Sequence, residues 1–425
     1  MKKTIKYMLL AVVAASAMTA CNDWVEPEQL MPTDKINNPK DETYYANLRA
    51  YRESDHPIMC GYWQGWGGQS SDYRTSLMGL PDSIDIISMW GAGFNYSEAQ
   101  MADLKEAQEK KGVKCLLVFI LHSVGAQITP SWATSGTSEQ PVIIHDRDTG
   151  EPIACTDALQ GRRVFWGMSP NDGPSNTPEM NAKAVRAVER YADSLCYLIN
   201  DKLQLDGFDW DFEYGYAVGD NVGDIIGDHS TYCNAQQAHD RTLAFAKRMR
   251  EGLGDKILMI DGVPHQMKAP EACVYFDYFA QQAYTRLSSG NGGSLSDTEA
   301  NMDSRTRNMV NAFQAYLPVE FICNRTIMLE SFEAAANPWN HNGAGMYGGR
   351  YWTFRDGSRT DANVDGIGTF EGMAMWNPVI NGVQYRKGGI GAYLLNNDYP
   401  PRIGNQAMTY PQTRAAIQIM NPAVK

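Results

Sequence analysis

The sequence is poor in positive charge, and its cysteines and histidines do not cluster as metal ligands do. It has 37 Lys and Arg against 49 Asp and Glu, a net charge of −12, which argues against nucleic acid as a partner. No glycine-rich loop that could cradle a phosphate is found, and no cofactor is expected. The eight cysteines are scattered without a CxxC pair, so neither a disulfide framework nor a zinc site is predicted. Cys60, Cys115 and Cys323 lie in apolar runs, which predicts buried thiols.

The apolar run near the start of the chain is too short to cross a membrane. Three lysines precede this run, which covers residues 7–17, and the pattern predicts a signal peptide over residues 1–20. The run leads into Met-Thr-Ala-Cys at residues 18–21, which resembles a bacterial lipobox. The resemblance implies cleavage before Cys21 and acylation of its thiol.

A lipidated Cys21 would make the chain a membrane-anchored protein. A thioether-linked lipid with a further acyl chain gives stable attachment. Residues 21–50 are then predicted to contain the anchor and a polar tether. The acids Asp23, Glu26 and Glu28 resemble the surface-export signal of Bacteroidetes lipoproteins, so we expect the cell surface at the outer membrane. The alternative is an ordinary secreted protein with a cysteine at this position by chance.

The most informative segment is residues 206–213, which read Asp-Gly-Phe-Asp-Trp-Asp-Phe-Glu. On a strand, Asp209, Asp211 and Glu213 share one face and the three aromatic residues share the other. Carboxylates at every second position repel one another, whereas the apolar face predicts burial, so the acids should line a pocket. Crowding in a partly desolvated site pushes their pKa values apart and supplies a proton donor at neutral pH. The alternative, a solvated edge strand, would not carry a large aromatic at every other position.

This octapeptide matches the Asp-Gly-x-Asp-x-Asp-x-Glu signature of family 18 glycoside hydrolases at every fixed position, so the chain resembles that family. The resemblance implies a (β/α)8 barrel with the motif on the fourth strand. It also implies that Glu213 is the general acid/base and that Asp211 holds the N–H of the substrate's 2-acetamido group. The acetamido oxygen then attacks C1 and forms an oxazolinium ion, while Asp209 supports Asp211 electrostatically.

The spacing of the acids agrees with this substrate-assisted chemistry. The usual retaining pair needs carboxyl groups roughly 5–5.5 Å apart across the sugar. Residues i and i+2 of one strand are roughly 6.6 Å apart and point the same way, so they cannot easily flank both faces of an anomeric carbon. A nucleophile supplied by the substrate removes the difficulty, which favours substrates with N-acetylglucosamine at the cleaved position.

The rest of the chain alternates strand-like and helix-like segments. Strands are predicted at about residues 58–63, 84–90, 114–122, 206–213, 257–263, 275–284, 321–329 and 389–395. Eight such units with helices between them predict a single (β/α)8 barrel over residues 51–425. The Gly-, Pro- and Ser-rich residues 126–178 and the aromatic, glycine-rich residues 337–359 are predicted to be long loops on its active face.

Further candidate residues end the predicted strands, where barrel active sites lie. Gln282 and Tyr284 end the sixth strand, and the Gln-x-Tyr form resembles the endo-β-N-acetylglucosaminidase branch of the family. There the tyrosine hydroxyl bonds the acetamido carbonyl; a packed core tyrosine is the alternative. Tyr393 ends the eighth strand as a candidate floor under the sugar, where chitinases have Trp, and this departure counts against chitin. Trp63, among glycines, suits a sugar subsite, and His122 suits a ligand contact or a structural role equally.

Packing is the default interpretation for the other polar residues at strand ends. They are Asp261, His265, Asn324, Arg325 and Glu330. Residues 361–366 open like a calcium loop, but the twelfth position is Gly372 and not an acid. A polar turn is therefore the preferred interpretation, and no metal site is predicted.

The sequence therefore predicts an endo-β-N-acetylglucosaminidase that cuts the core of N-glycans, with a glycan or glycoprotein as its partner. Two alternatives remain open. A non-catalytic glycan-binding protein on the same barrel usually loses the acid, and this chain keeps Glu213. A chitinase uses the same chemistry, and the missing Trp on the eighth strand counts against it.

Overall fold

A closed barrel of eight parallel strands forms the centre of the molecule. The computed structural model describes residues 40–69, 72–213, 223–226, 232–285, 296–333, 348–362, 364–399 and 409–422. The barrel strands are β1 Ile58–Trp63, β2 Ile86–Met89, β3 Lys114–Ile120, β4 Gly207–Phe212, β5 Ile257–Gly262, β6 Tyr278–Gln282, β7 Thr326–Ser331 and β8 Gly389–Tyr393. Each strand pairs with the next, and β8 pairs with β1. This confirms the predicted single (β/α)8 barrel with the octapeptide on its fourth strand.

Helices surround the barrel and begin at sequence-encoded caps. Ser97 and Asn234 open capping boxes with glutamines three residues later, and Thr177 caps the helix that begins at Pro178. No helix within the described ranges has both the length and the apolarity to cross a membrane. The helices are α1 Glu42–Arg52, α2 Glu98–Glu106, α3 Ala158–Trp166, α4 Pro178–Tyr197, α5 Ala235–Leu253, α6 Glu299–Phe313, α7 Val319–Arg325, α8 Thr369–Met375 and α9 Pro411–Met420.

The first described helix belongs to the folded domain. Asp41 caps α1 through the N–H of Tyr44, and Leu48 is 1% exposed. Arg52 donates to the carbonyl of Lys111 at 2.6 Å. The folded domain therefore begins before the predicted boundary at residue 51, because α1 is fastened to the barrel. Cys21 and the predicted signal peptide lie outside the described residues.

Strand side chains alternate between the barrel interior and the layer beneath the helices. Phe208, Trp210 and Phe212 are 0% exposed in that outer layer, where Trp210 Nε1 donates to the carbonyl of Leu121 at 2.8 Å. This confirms the predicted two faces of β4 and turns the intervening acids inward. The interior is filled by smaller apolar residues, among them Cys60, Leu116, Val118, Met259, Ala280 and Leu329.

The long insertion between β3 and β4 has regular structure, which corrects the prediction of a loop. Residues Val142–His145 and Pro152–Cys155 pair as an antiparallel hairpin, and α3 follows. Ile144 of the hairpin and Val164 of α3 are buried in a small core of their own. The Gly, Pro and Ser content hid this hairpin because its strands are only four residues long.

Buried ion pairs fasten the insertion to the segment that follows β4. Arg163 of α3 donates to Asp224 Oδ1 at 2.7 Å, and Asp224 is 0% exposed. Arg241 of α5 forms a two-pronged pair with Asp172 at 3.0 and 3.1 Å and donates to the carbonyl of Asp224 at 2.7 Å. Because a buried charge that loses its partner is costly, these pairs fix the insertion beside the active face.

The seventh strand begins later than predicted. Residues 319–325 form α7, and β7 starts at Thr326. Pro318 sits at the helix N-cap, and its fixed φ favours a helix start. The apolar run at 321–323 therefore packs as a helical turn, not as a strand. Of the second predicted loop, residues 351–353 and 359–361 form a small sheet with residues 296–298, and part of that loop lies outside the described residues.

Candidate active site

Three of the octapeptide's four acids, Asp209, Asp211 and Glu213, run along the inner face of β4 to its C-terminal end, whereas Asp206 precedes the strand. Asp209 is 0% and Asp211 2% exposed, while Glu213 comes just after the strand and is half-buried. Asp209 Oδ2 accepts a hydrogen bond from Ser88 Oγ of β2 at 2.6 Å. The acids thus run from the closed interior to the open mouth, with Glu213 closest to the mouth.

Burial changes the protonation of the two inner acids. It raises the pKa of Asp209 to about 6, against the opposing hydrogen bond from Ser88. Burial also raises the pKa of Asp211 well above its usual range, and the charges of Glu213 and Asp209 add to this effect. Like charges in a low-dielectric site do not all ionise together, so the cluster retains protons near neutral pH.

The side-chain amide of Gln282 connects the acids at the mouth. Gln282 Nε2 is 3.2 Å from Glu213 Oε1, 3.5 Å from Asp211 Oδ1 and 3.1 Å from Asp261 Oδ1. Gln282 ends β6, so this amide reaches across the barrel mouth to β4 and β5. By donating to these acids, the Gln282 amide holds their side chains in fixed orientations. At the strand ends, where barrel active sites lie, it can also donate to a polar group of a substrate.

Aromatic rings form the other side of the mouth. The rings of Tyr284 and Tyr393 stack with centroids 5.9 Å apart and an interplanar angle of 27°. Trp90 meets Tyr393 edge-on at 5.8 Å and 87°. Burial, followed by the charges of Asp261, Asp211 and Glu213, raises the pKa of Tyr284 well above its ordinary value. The Tyr284 hydroxyl therefore stays protonated and can donate, while the ring faces can pack against a sugar.

Two of the predicted substrate contacts are not brought to this mouth. Trp63 points out of the barrel, is 1% exposed and packs in the layer beneath the helices. The neighbouring Tyr62 points inward instead, because side chains alternate along β1. His122 is 0% exposed, and its backbone carbonyl accepts from Ile225 at 2.8 Å.

The structure adds Asp261, Ser88 and Tyr62 to the predicted cluster. Asp261 is 0% exposed and is paired through the backbone with Asp211. The only signal in the sequence was an acid at the end of a predicted strand, for which packing was the default interpretation. Ser88 and Tyr62 gave no signal of their own, since a serine or tyrosine in a buried strand is common.

Asp209→Asn is expected to raise the free energy of unfolding at neutral pH, with an effect that vanishes in acid. The pKa of Asp209 is about 6 in the folded protein, whereas the pKa of an Asp in an unfolded chain is about 3.9. Between these values only the folded state holds the proton, so the wild type loses stability as pH rises from about 4 to about 6. Asparagine has no such proton to lose. Urea unfolding across this range measures the difference, and a difference that does not grow with pH contradicts the assignment.

The barrel and its mouth of acids, amide and tyrosines define the class of a glycoside hydrolase. The sequence matches the family model "Glycoside hydrolase family 18, BT1044-like" over residues 25–140 and 169–419. The chain therefore belongs to glycoside hydrolase family 18. Residues 141–168, which hold the hairpin and α3, lie outside the match. No curated protein matches the chain.

Solved structures of similar fold include members of the same family. BT1044 shares 23% identity and superposes with a TM-score of 0.61, covering 92% of this chain and 95% of that one. An endo-β-N-acetylglucosaminidase from Cordyceps militaris shares 16% identity with a TM-score of 0.52, over 94% of this chain and 99% of that one. A mutant of that enzyme in complex with fucosyl-N-acetylglucosamine-Asn shares 17% identity with a TM-score of 0.51, over 91% of this chain and 98% of that one. At these identities the likeness establishes the fold alone.

Proposed function

We propose that the protein is a retaining endo-β-N-acetylglucosaminidase that cleaves the GlcNAc-β1,4-GlcNAc core of N-glycans. The observation that carries the proposal is the Gln282 amide, 3.2 Å from Glu213 and 3.5 Å from Asp211, with Tyr284 two residues further on. This combination gives the mouth an acid in Glu213 and an acceptor for an amide N–H in Asp211. Gln282 and Tyr284 are two donors for the carbonyl oxygen of the same amide. Such a set fits an N-acetyl group beside the bond to be cut.

The acids divide the reaction between them. Glu213 protonates the leaving glycosidic oxygen while Asp211 accepts the N–H of the 2-acetamido group. The acetamido oxygen attacks C1, the bond from C1 to the leaving oxygen breaks, and an oxazolinium ion forms. Glu213, now a carboxylate, takes a proton from water, which attacks C1 from the side the leaving group has vacated; the bond from C1 to the acetamido oxygen breaks and the acetamido group is restored. Two inversions at C1 retain the configuration.

The position of the acids supports a nucleophile from the substrate. Asp211 lies on β4, Glu213 follows that strand directly, and both approach the same nitrogen of Gln282, so they do not stand across the sugar as an ordinary retaining pair does. The stacked pair Tyr284 and Tyr393 offers ring faces to the sugar. A neighbouring fold whose complex contains fucosyl-N-acetylglucosamine-Asn adds support for a glycopeptide as the substrate class.

Mass spectrometry of a treated glycoprotein tests the proposal. The purified protein is incubated with high-mannose, complex and hybrid N-glycoproteins, and each acceptor is expected to keep one GlcNAc on asparagine. Chito-oligosaccharides are incubated in parallel, since their cleavage alone would indicate a chitinase. Glycan binding without cleavage would indicate a non-catalytic binding protein. Acceptors that keep intact glycans of all three types contradict the proposal.

We further propose that the enzyme is anchored by lipid at Cys21 to the outer membrane, facing outward. The lipobox-like residues 18–21 and the acids that follow them support this location. Cells grown with a labelled fatty acid are expected to label the wild type and not Cys21→Ser. External protease is expected to remove the labelled protein from intact cells. An unlabelled wild-type protein in the medium contradicts the anchor.

A further inference from the structure

A carboxyl group from outside the octapeptide is held beside Asp211 by the barrel itself. Asp261 of β5 is the register partner of Asp211 of β4 and is 0% exposed. The two strands approach closely just beyond this pair. Gly262 has φ of +95°, and a Cβ at that position would lie 2.2 Å from the carbonyl oxygen of Phe212. The backbone therefore fixes the Asp211 and Asp261 side chains next to each other.

The Gln282 amide cannot satisfy all the carboxylates that surround it. Its Nε2 lies 3.1 Å from Asp261, 3.2 Å from Glu213 and 3.5 Å from Asp211, yet an amide nitrogen has two hydrogens. Three anions around one neutral donor inside a barrel also repel strongly. In the proposed reaction the general acid Glu213 already carries one proton, and a second proton on Asp211 or Asp261 leaves a single anion beside the amide.

The second oxygen of Asp261 supports Asp261 as the group that holds this proton. Among the described residues, the buried atoms Asp261 Oδ2 and Asp209 Oδ1 have no hydrogen-bond donor. A proton on Asp261 supplies one, and hydrogen bonding to Asp261 lowers the pKa values of Asp209 and Asp211. Burial, and then the charges of Asp211 and Asp209, raise the pKa of Asp261 itself well above its usual range.

The hydrogen bond from Gln282 opposes this rise in the pKa of Asp261, but the ionisable groups around Asp261 supply no charge that does. They come from β1, from β4 and from the segment after β6, and each is an acid or an uncharged side chain. None of them supplies a positive charge that would favour the Asp261 anion. They are Cys60, Tyr62, Asp209, Asp211, Glu213 and Tyr284.

We propose that Asp261 is a positioning residue that stays protonated in the resting enzyme, keeps Asp211 anionic and directs the Gln282 amide toward Asp211 and Glu213. The proposal rests on the proposed function, because an anionic Asp211 is what receives the acetamido N–H. Asp261 does not touch the substrate and exchanges no proton with it. It acts by deciding which of two adjacent carboxyl groups is charged.

Two substitutions separate a neutral role from an anionic one. Asp261→Asn keeps a neutral donor and acceptor of the same shape, and its kcat is expected to stay within about threefold of wild type. Asp261→Leu removes both functions, and its kcat is expected to fall by about 10²-fold with KM within about twofold. Glu371→Gln makes the same carboxyl-to-amide change at a buried helix-capping position outside the cluster and is expected to leave kcat unchanged. An Asn variant as impaired as the Leu variant, or a Leu variant as active as wild type, overturns the proposal.

Infrared spectroscopy tests the proton without relying on turnover or on folding of the Leu variant. At about pH 8.5, above the pKa of about 7 at Glu371 and Asp398, the wild type is expected to show a protonated-carboxyl C=O band that Asp261→Asn lacks. An identical band in both proteins overturns the proposal. If the wild type shows the band, Asp261→Asn lacks it and the wild type cleaves no N-glycan, the proposed function fails and the assignment of the proton stands.

Discussion

Glu213→Gln is expected to lower kcat for N-glycan hydrolysis by about 10²- to 10⁴-fold, the usual contribution of a general acid/base. Glutamine keeps the size and polarity of the side chain that faces Gln282 at 3.2 Å. It has no proton to give the leaving oxygen and cannot deprotonate water. Because the sugar contacts are unaltered, glycan affinity should stay within a few-fold of wild type.

Steady-state kinetics on a defined glycopeptide, with calorimetry for binding, separate these two effects. Glu271→Gln is a suitable control, since Glu271 is also half-buried and contacts His239 on the helix side at 2.6 Å. The control should keep wild-type kcat. If Glu213→Gln turns over as fast as wild type, Glu213 has no part in the chemistry. If kcat and affinity fall together, Glu213 contributes to binding and the assignment as the acid/base is incomplete.

Asp211→Asn is expected to lower kcat by about 10²- to 10³-fold, the size of loss seen when one preorganised electrostatic contact is removed. The Asp211 anion accepts the acetamido N–H and stabilises the positive charge of the oxazolinium ion. Asparagine has no charge for the second task. The effect should therefore be larger for the charged intermediate than for the bound substrate.

An inhibitor that mimics the oxazolinium ion measures this difference directly. A thiazoline derivative of GlcNAc should bind Asp211→Asn much more weakly than wild type, whereas the product glycan should bind both with similar affinity. Replacing the N-acetyl group of the substrate by a hydroxyl should abolish turnover in both proteins. Either of two results contradicts the substrate-assisted mechanism: an unchanged affinity of Asp211→Asn for the inhibitor, or turnover of the substrate that has a hydroxyl in place of its N-acetyl group.

The sequence predicted the elements whose signal is local. The alternation of acids and aromatics in residues 206–213 predicted both faces of β4, and the structure buries Trp210 on the outside and Asp209 on the inside. A helix start is also a local signal where a capping residue precedes an amphipathic segment, as Thr177 does before Pro178. The hairpin at residues 142–155 and the late start of β7 were missed, because four-residue strands and a short apolar helix have no distinctive period.

The candidate site was readable only where a residue carried a motif. Gln282 and Tyr284 were predicted from the Gln-x-Tyr pattern, and the structure brings both to the mouth with Tyr393. Trp63 was misplaced by a single step along β1, since alternation sends it outward and its neighbour Tyr62 inward.

The sequence by itself determined the eight-unit barrel, the strand that carries the acids and the order of Asp209, Asp211 and Glu213 toward its mouth, because all of these follow from side-chain periodicity. Only the tertiary structure decided that Asp261 and the Gln282 amide meet those acids. Such contacts depend on strand register and barrel closure, which join residues some 50 to 70 positions apart. No local pattern encodes which of several buried carboxyl groups keeps the proton, since that is set by their mutual distances and by the exclusion of water.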